Sequence, residues 1–318
     1  MQKKKYDIIG DIHGCHDKLL LLLTALGYQL FDGCYRHPLG RKVAFLGDFI
    51  DPKGDIPHIN HDFSAVLKTV KAMVENKEAV AVMGNHEFNA IAYATPDGKG
   101  DYLRPHKENK DKDLKITIKA FDGGFDGQEW KGWIEWFKTL PFFLELDGFR
   151  LVHAYWHEDD IANLKGKTLR DPEFLKAATK KGTPEFNWIE NVLKGYEIPM
   201  PEGHSFIDST GIERDQFRAR WFERNPVGKS AKDLLFPAGS VEIPDERVPD
   251  ETAALIPGYP ASVPPAFFGH YFKPKNSPLK PELENLACLD FSVATGGPMV
   301  AYRWDGEAIL NPDNYVAV

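Results

Sequence analysis

The run Ala79-Val80-Ala81-Val82-Met83-Gly84-Asn85-His86-Glu87 is the stretch from which the rest of this chain is read. Its first five residues are apolar, the pattern of a buried strand. The polar tetrapeptide therefore emerges at the strand's carboxyl end, where Gly84 lets the chain turn tightly. The same order of apolar strand, glycine and metal-competent polar residues occurs three more times, as Gly10-Asp11-Ile12-His13-Gly14 after Tyr6-Asp7-Ile8-Ile9, Gly47-Asp48 after Lys42-Val43-Ala44-Phe45-Leu46, and Gly269-His270 after Ala266-Phe267-Phe268. A fifth strand, Phe149-Arg150-Leu151-Val152, delivers His153 with no glycine before it. Five strand ends that offer Asp, His and Asn side chains describe a metal centre better than chance does.

Carboxylate, imidazole and amide donors without a thiolate suit a hard or borderline divalent ion: two such ions are expected, Mn²⁺ first, with Fe or Zn²⁺ as alternatives. Asp11 and His13, two apart on an extended strand end, point to one side and can bind one ion together. Asn85, His153 and His270 would bind the second, and Asp48, from the central strand, is placed to bridge both. Ions ~3.5–4 Å apart can hold a bridging hydroxide and clamp phosphoryl oxygens for in-line displacement. Adjacent side chains diverge, so His86 does not share the ion of Asn85. It is cast instead as a general acid for the leaving oxygen, oriented by Asp51, and these two are the expected catalytic pair.

With 318 residues the chain can bury a sizeable core, and 42% hydrophobic with 27% charged residues is the composition of a globular protein. A net charge of −8 argues against a nucleic-acid groove, though not against small anionic substrates, because a metal centre brings its own positive charge. The three cysteines, Cys15, Cys34 and Cys288, have no paired or zinc-like spacing and read as small buried hydrophobes in a reducing compartment. Met1-Gln2-Lys3-Lys4-Lys5 lacks the apolar core of a signal peptide, and no run of about 18 apolar residues exists to span a membrane. A cytoplasmic location is the expectation, with neither nucleic acid nor membrane as partner.

Taken in order, the chain predicts a helix over His16 to Leu26 stopped by Gly27, and another from an Asp62 cap through Glu75. Strand, helix, strand, helix, strand implies parallel pairing. Residues 95–113 are polar and charged and read as an exposed loop. Glu129 to Leu140 is amphipathic, its Trp130, Trp133, Ile134 and Phe137 read as core. Phe142 to Leu146 turns through Asp147-Gly148 into the His153 strand as a hairpin. Helices are expected over Pro172 to Lys180 and Pro184 to Leu193, and closing strands over Leu286 to Asp290, Met299 to Trp304 and Ala308 to Leu310. A single domain over residues 1–318 is read, with an elaboration at about 158–265 covering one rim of the site.

The five strand-end blocks, in this order, resemble the calcineurin-like metallophosphoesterases, and within them the phosphoprotein phosphatase and symmetrical dinucleoside tetraphosphatase branch. Cys288-Leu289-Asp290 with Gly296-Gly297 resembles that branch's carboxyl end. The resemblance implies a four-layer α/β (α+β) sandwich, two mixed β-sheets flanked by helices with metals at the strand ends. It also implies a metal-dependent phosphatase acting on a phosphorylated small molecule or a phosphoprotein. Hydrolysis of a dinucleoside polyphosphate, and a metal-binding interaction module with weak catalysis, stand as alternatives. The sequence departs from the branch after Asp51, where Arg-Gly is usual and Pro52-Lys53-Gly54 stands. It departs again after His153-Ala154, where Tyr155-Trp156-His157 replaces a glycine. Phosphate would then be gripped by Arg218 or Arg220, two apart on one strand, with Lys53 second and Asn85 also facing substrate.

Overall fold

The computed structural model describes residues 5–318 apart from 55, 57, 107–110, 147, 209 and 210. Asp147 of the expected turn, residues 1–4 of the basic start and residues 107–110 of the charged loop therefore lie outside the described residues. The strands of the fold are β1 (Tyr6–Ile9), β2 (Lys42–Phe45), β3 (Ala79–Ala81), β4 (Phe143–Leu146), β5 (Phe149–Val152), β6 (Ala266–Phe268), β7 (Leu286–Cys288), β8 (Val300–Trp304) and β9 (Tyr315–Ala317).

Period-two alternation explains the layering. Ile8 of β1 and Ala44 of β2 join one buried cluster, whereas Ile9 and the flanking Val43 and Phe45 join another. The first cluster also contains Phe149, Leu151, Phe267, Ala287, Tyr302 and Trp304, so it is the apolar layer between two sheets. One sheet runs β9-β8-β1-β2-β3, with β1, β2 and β3 parallel and β8 and β9 antiparallel additions. The other runs β7-β6-β5-β4, parallel except for β4, which forms the expected hairpin with β5. Each sheet is mixed, and helices cover the outer faces.

Helix α1 (His16–Leu26) buries Leu19, Leu22, Leu23 and Leu26 and ends where Gly27 enters the left-handed region at φ 93°. Helix α2 (Phe63–Glu75) starts at Asp62, whose carboxylate accepts the Ala65 N–H at 2.8 Å. Helix α3 (Asn85–Ala94) follows β3 directly. Helices α4 (Lys112–Lys119) and α5 (Gln128–Phe137) come next, the latter burying the tryptophan stripe. In the elaboration, α6 (Glu158–Leu164), α7 (Pro172–Thr179) and α8 (Pro184–Lys194) follow β5, and α7 and α8 each begin with proline behind a side-chain cap.

Four features differ from the sequence reading. A short hairpin pairs Gln29–Phe31 with Cys34–Arg36, exposed enough that no alternation marks it. The charged loop over 95–113 closes into α4, whose narrow buried face (Leu114, Thr117, Ile118) is hidden among lysines. Ala308 to Leu310 forms no strand. Residues 305–307 are taken into local bonds, with Trp304 Nε1 donating to the Glu307 carbonyl, and the last strand is β9. Finally, the strand carrying Arg218 spans only Gln216–Arg218, paired with Glu197–Pro199, so Arg220 is not on it.

Beyond α8, Ile198, Met200, Phe217, Ala219, Leu234, Val248 and Ile256 form a small buried cluster of their own. Aromatic rings tie this segment to β6. Trp221 meets Phe268 at 5.4 Å and Phe236 meets Tyr271 at 4.9 Å, beside His270. No described helix is long and apolar enough to cross a membrane.

Candidate metal centre

Because β1, β2 and β3 are parallel, their carboxyl ends lie along one edge, and β5 and β6 bring His153 and His270 to it from the second sheet. The strand-end loops are stitched together by main-chain bonds. Ile12 and His13 donate to the Asp48 carbonyl at 3.0 and 2.9 Å, and Gly269 donates to the His153 carbonyl at 2.8 Å. Two glycines permit the closeness. A Cβ on Gly269 would fall 2.0 Å from Asp11 Oδ1, and one on Gly84 would fall 2.2 Å from Asp48 Oδ1. His13, Asp48, Asp51 and His270 all hold positive φ, between 48° and 69°, which non-glycine residues adopt at a cost that surrounding structure must outweigh.

Asp48 Oδ2 is the hub. It lies 3.3 Å from His153 Nε2, 3.8 Å from His13 Nε2 and 3.9 Å from His86 Nε2. His13 Nε2 is also 3.9 Å from Asp11 Oδ2. Asn85 Oδ1 lies 3.1 Å from His153 Nε2 and 2.8 Å from His270 Nδ1. The six residues expected as ligands thus converge. Two overlapping groups, His13-Asp48-His86 and Asp48-His153-His270, have donor atoms all within 4.8 Å of one another.

This donor set fits divalent ions. His13 Nδ1 donates to the Asp51 carbonyl at 2.8 Å, which leaves its Nε2 as a lone pair aimed at Asp48. His153 Nδ1 donates to the Leu46 carbonyl at 2.7 Å, which directs its Nε2 at Asp48, where it can ligate once its proton is shed. Among the described residues no Lys or Arg ion-pairs with Asp11 or Asp48. His270 Nε2 is buried without a hydrogen-bond partner there. Titration reflects the same crowding. Burial lowers the His13 imidazole to about 3. Burial also opposes a charge on His153, but Asp48 outweighs it and lifts the imidazole to about 10. Burial and the nearby Asp290 raise the Asp11 carboxyl well above its ordinary value.

His86 is held differently. Its Nδ1 donates to Asp51 Oδ2 at 2.7 Å, so Nε2 faces the hub. Burial disfavours its charged form, yet Asp48 and the Asp51 hydrogen bond prevail and raise its pKa. Lys53, exposed, sits 5.6 Å from the Phe272 ring, and its charge is felt by His13, His86 and His270. After burial, the charge of Arg218 is the largest influence depressing His270. The Arg220 guanidinium lies over the Phe222 ring at 6.0 Å, and its charge acts on Glu223.

A family model described as calcineurin-like phosphoesterase matches residues 4–227. The chain belongs to the calcineurin-like phosphoesterases. The asymmetrical bis(5'-nucleosyl)-tetraphosphatase PrpE of Halalkalibacterium halodurans is 46% identical over 82 residues, 26% of this phosphoesterase and 30% of that protein. The protein of the same name from Geobacillus sp. is 40% identical over 151 residues, 48% of this chain and 56% of that one. The chain thus spans about a third to just over half the length of these relatives. A cold-active protein-tyrosine phosphatase of a psychrophilic Shewanella is similar in structure, at 12% identity, TM-score 0.45, 99% of this chain and 80% of that one.

Three residues that shape this phosphoesterase's site went without a role in the sequence reading. Glu87 accepts N–H groups from Asp48 (2.9 Å), Phe49 (2.8 Å) and Gly84 (3.0 Å), tying two strand-end loops together. A glutamate three residues after a helix's first cap is a readable signal for such a bond. Asp290 accepts from Phe272 and Ser292 and so shapes the turn after His270. Thr117 hydrogen-bonds Asp51, and nothing in its own neighbourhood of sequence announces it.

Proposed function

We propose that this phosphoesterase is a metal-dependent phosphoester hydrolase. One ion would be held by Asp11, His13 and Asp48, and a second by Asp48, Asn85, His153 and His270. When bound, the two ions supply a hydroxide nucleophile and neutralise the phosphoryl oxygens. The observation that carries the reading is the shared Asp48 Oδ2, with three imidazole Nε2 atoms 3.3–3.9 Å from it and no lysine or arginine ion-paired to it among the described residues.

The protein's own groups do the rest. His86, with Nδ1 fixed on Asp51, presents Nε2 to protonate the leaving oxygen. Arg218, with Lys53 second, binds phosphate oxygens in place of the arginine missing at Pro52, and Asn85 also faces the substrate. A guanidinium holds two such oxygens at once, an ammonium one. A phosphomonoester, including a phosphoprotein, is the first substrate reading, and Mn²⁺ the first metal, in a cytoplasmic protein of one domain.

The names of the relatives favour a second reading, a dinucleoside tetraphosphate. Both are tested by assaying the purified protein with added Mn²⁺ on 4-nitrophenyl phosphate and on a dinucleoside tetraphosphate. Turnover of the ester alone supports the first, and of the anhydride alone the second. Release of unlike products (a triphosphate and a monophosphate) marks asymmetrical cleavage, and two diphosphates mark symmetrical cleavage. No turnover of either, with ions bound, supports the third reading, an interaction module.

A further inference from the structure

Helix α4 contributes none of the strand-end motifs, yet it reaches the site through Thr117, a fully buried residue. A threonine inside a helix ordinarily gives its hydroxyl proton to the carbonyl one turn back. That acceptor, the Asp113 carbonyl, is 3.4 Å away, whereas Asp51 Oδ1 is 2.6 Å away and carries charge. The proton therefore goes to Asp51. The lone pairs are used by the same residue, since the Asp51 N–H donates to Thr117 Oγ1 at 3.0 Å. One hydroxyl thus grips Asp51 at both its main chain and its side chain.

This grip matters because of what Asp51 is doing. Its φ of 65° is a left-handed conformation that an aspartate holds at a cost. With Oδ1 taken by Thr117, the other oxygen, Oδ2, is turned to His86 Nδ1 at 2.7 Å. One turn earlier on α4, Asp113 Oδ1 accepts the Gly54 N–H at 3.2 Å, so the helix braces both ends of the segment from Asp51 to Gly54. We propose that Thr117 is the positioning residue of the acid: by holding Asp51 at two points it fixes the carboxylate oxygen that orients His86. The role rests on the hydrolase reading for its catalytic consequence, but not for the geometry itself.

The test compares Thr117→Val and Thr117→Ser with the unaltered chain, using two readouts. The first is kcat on phenyl phosphate, a poor leaving group, against 2,4-dinitrophenyl phosphate, whose leaving oxygen needs no proton. The valine variant is expected to lose about 10–100-fold on the former and little on the latter, with ion content unchanged and serine restoring the loss. The second readout needs no turnover: the low-field Nδ1 proton resonance of His86 in ion-free protein, assigned by its absence in His86→Asn. It should broaden or vanish in the valine variant and persist in the serine one. Equal losses on both esters, or a resonance unchanged in the valine variant, overturn the proposal. If the valine variant does not fold, the serine variant decides alone, since a folded serine variant without the resonance also overturns it. If the unaltered chain hydrolyses neither ester while the resonance still depends on Thr117, the hydrolase reading falls and the positioning role stands.

Discussion

Asp48 and His153 face each other at 3.3 Å, Oδ2 to Nε2, from strands that belong to different sheets. The carboxylate ends β2 and the imidazole ends β5, while His153 Nδ1 reaches back to the Leu46 carbonyl next to β2. The pair therefore measures how well the two sheets are docked at their shared edge. Burial would raise the Asp48 carboxyl, but His153 and His86 outweigh it and hold it well below its ordinary value.

Asp48→Asn is expected to cost more activity than loss of a ligand to one ion, such as His13→Asn. It removes a charge from both proposed sites, so bound divalent ion should fall toward zero in the first variant and toward half in the second. Metal analysis after dialysis checks this, and equal stoichiometries in the two variants would contradict the shared role.

For His86→Asn, the expected loss is about 10²–10⁴ in kcat with an alkyl or phenyl phosphate. It should shrink with an activated aryl phosphate. A loss of the same size on both substrates would assign His86 to binding or structure.

Ion uptake should release protons. His153, lifted to about 10, is protonated at neutral pH without an ion, and a ligand must shed that proton. Lowering the pH through and below neutrality should therefore weaken divalent-ion affinity. Calorimetry in buffers of different ionisation enthalpy reads the proton count, and a heat independent of buffer would rule the release out.

Arg218→Ala is expected to raise KM or lower kcat/KM with ion content unchanged, and Lys53→Ala to do so less. Arg220→Ala serves as the comparison, because its guanidinium is turned to Phe222 and Glu223. Steady-state kinetics of the three variants decide. A crippled Lys53→Ala beside an unaffected Arg218→Ala would hand phosphate binding to the lysine.

Glu87→Gln is expected to destabilise the protein by about 1–3 kcal/mol, because the amide nitrogen that replaces one carboxylate oxygen cannot accept the N–H group or groups that oxygen now holds, while the remaining oxygen still accepts the others. Thermal or denaturant unfolding measures it. A change within 0.5 kcal/mol, the range of ordinary surface substitutions, would show the contacts to be replaceable.

The sequence by itself determined the strand ends. Apolar runs closed by glycine and followed by Asp, Asn or His are local signals, since burial sets the strand and the turn exposes the polar residue. That is why Asp11, His13, Asp48, Asn85, His153 and His270 could be named together, and why the parallel order of β1, β2 and β3 followed from the helices between them. Tertiary structure alone decided what depends on contacts far apart in the chain. Thr117 meets Asp51 across 66 positions, from a helix whose buried face is too narrow to read among lysines. Arg218 and Arg220 look equivalent in sequence. They part company where pairing stops at Arg218 and Ala219 bridges to Leu235: the charge of Arg218 is felt by His270, whereas the Arg220 guanidinium lies over Phe222 and its charge is felt by Glu223. Residue type and spacing fix what a side chain can do, but only the packing of distant segments fixes which neighbour it does it to.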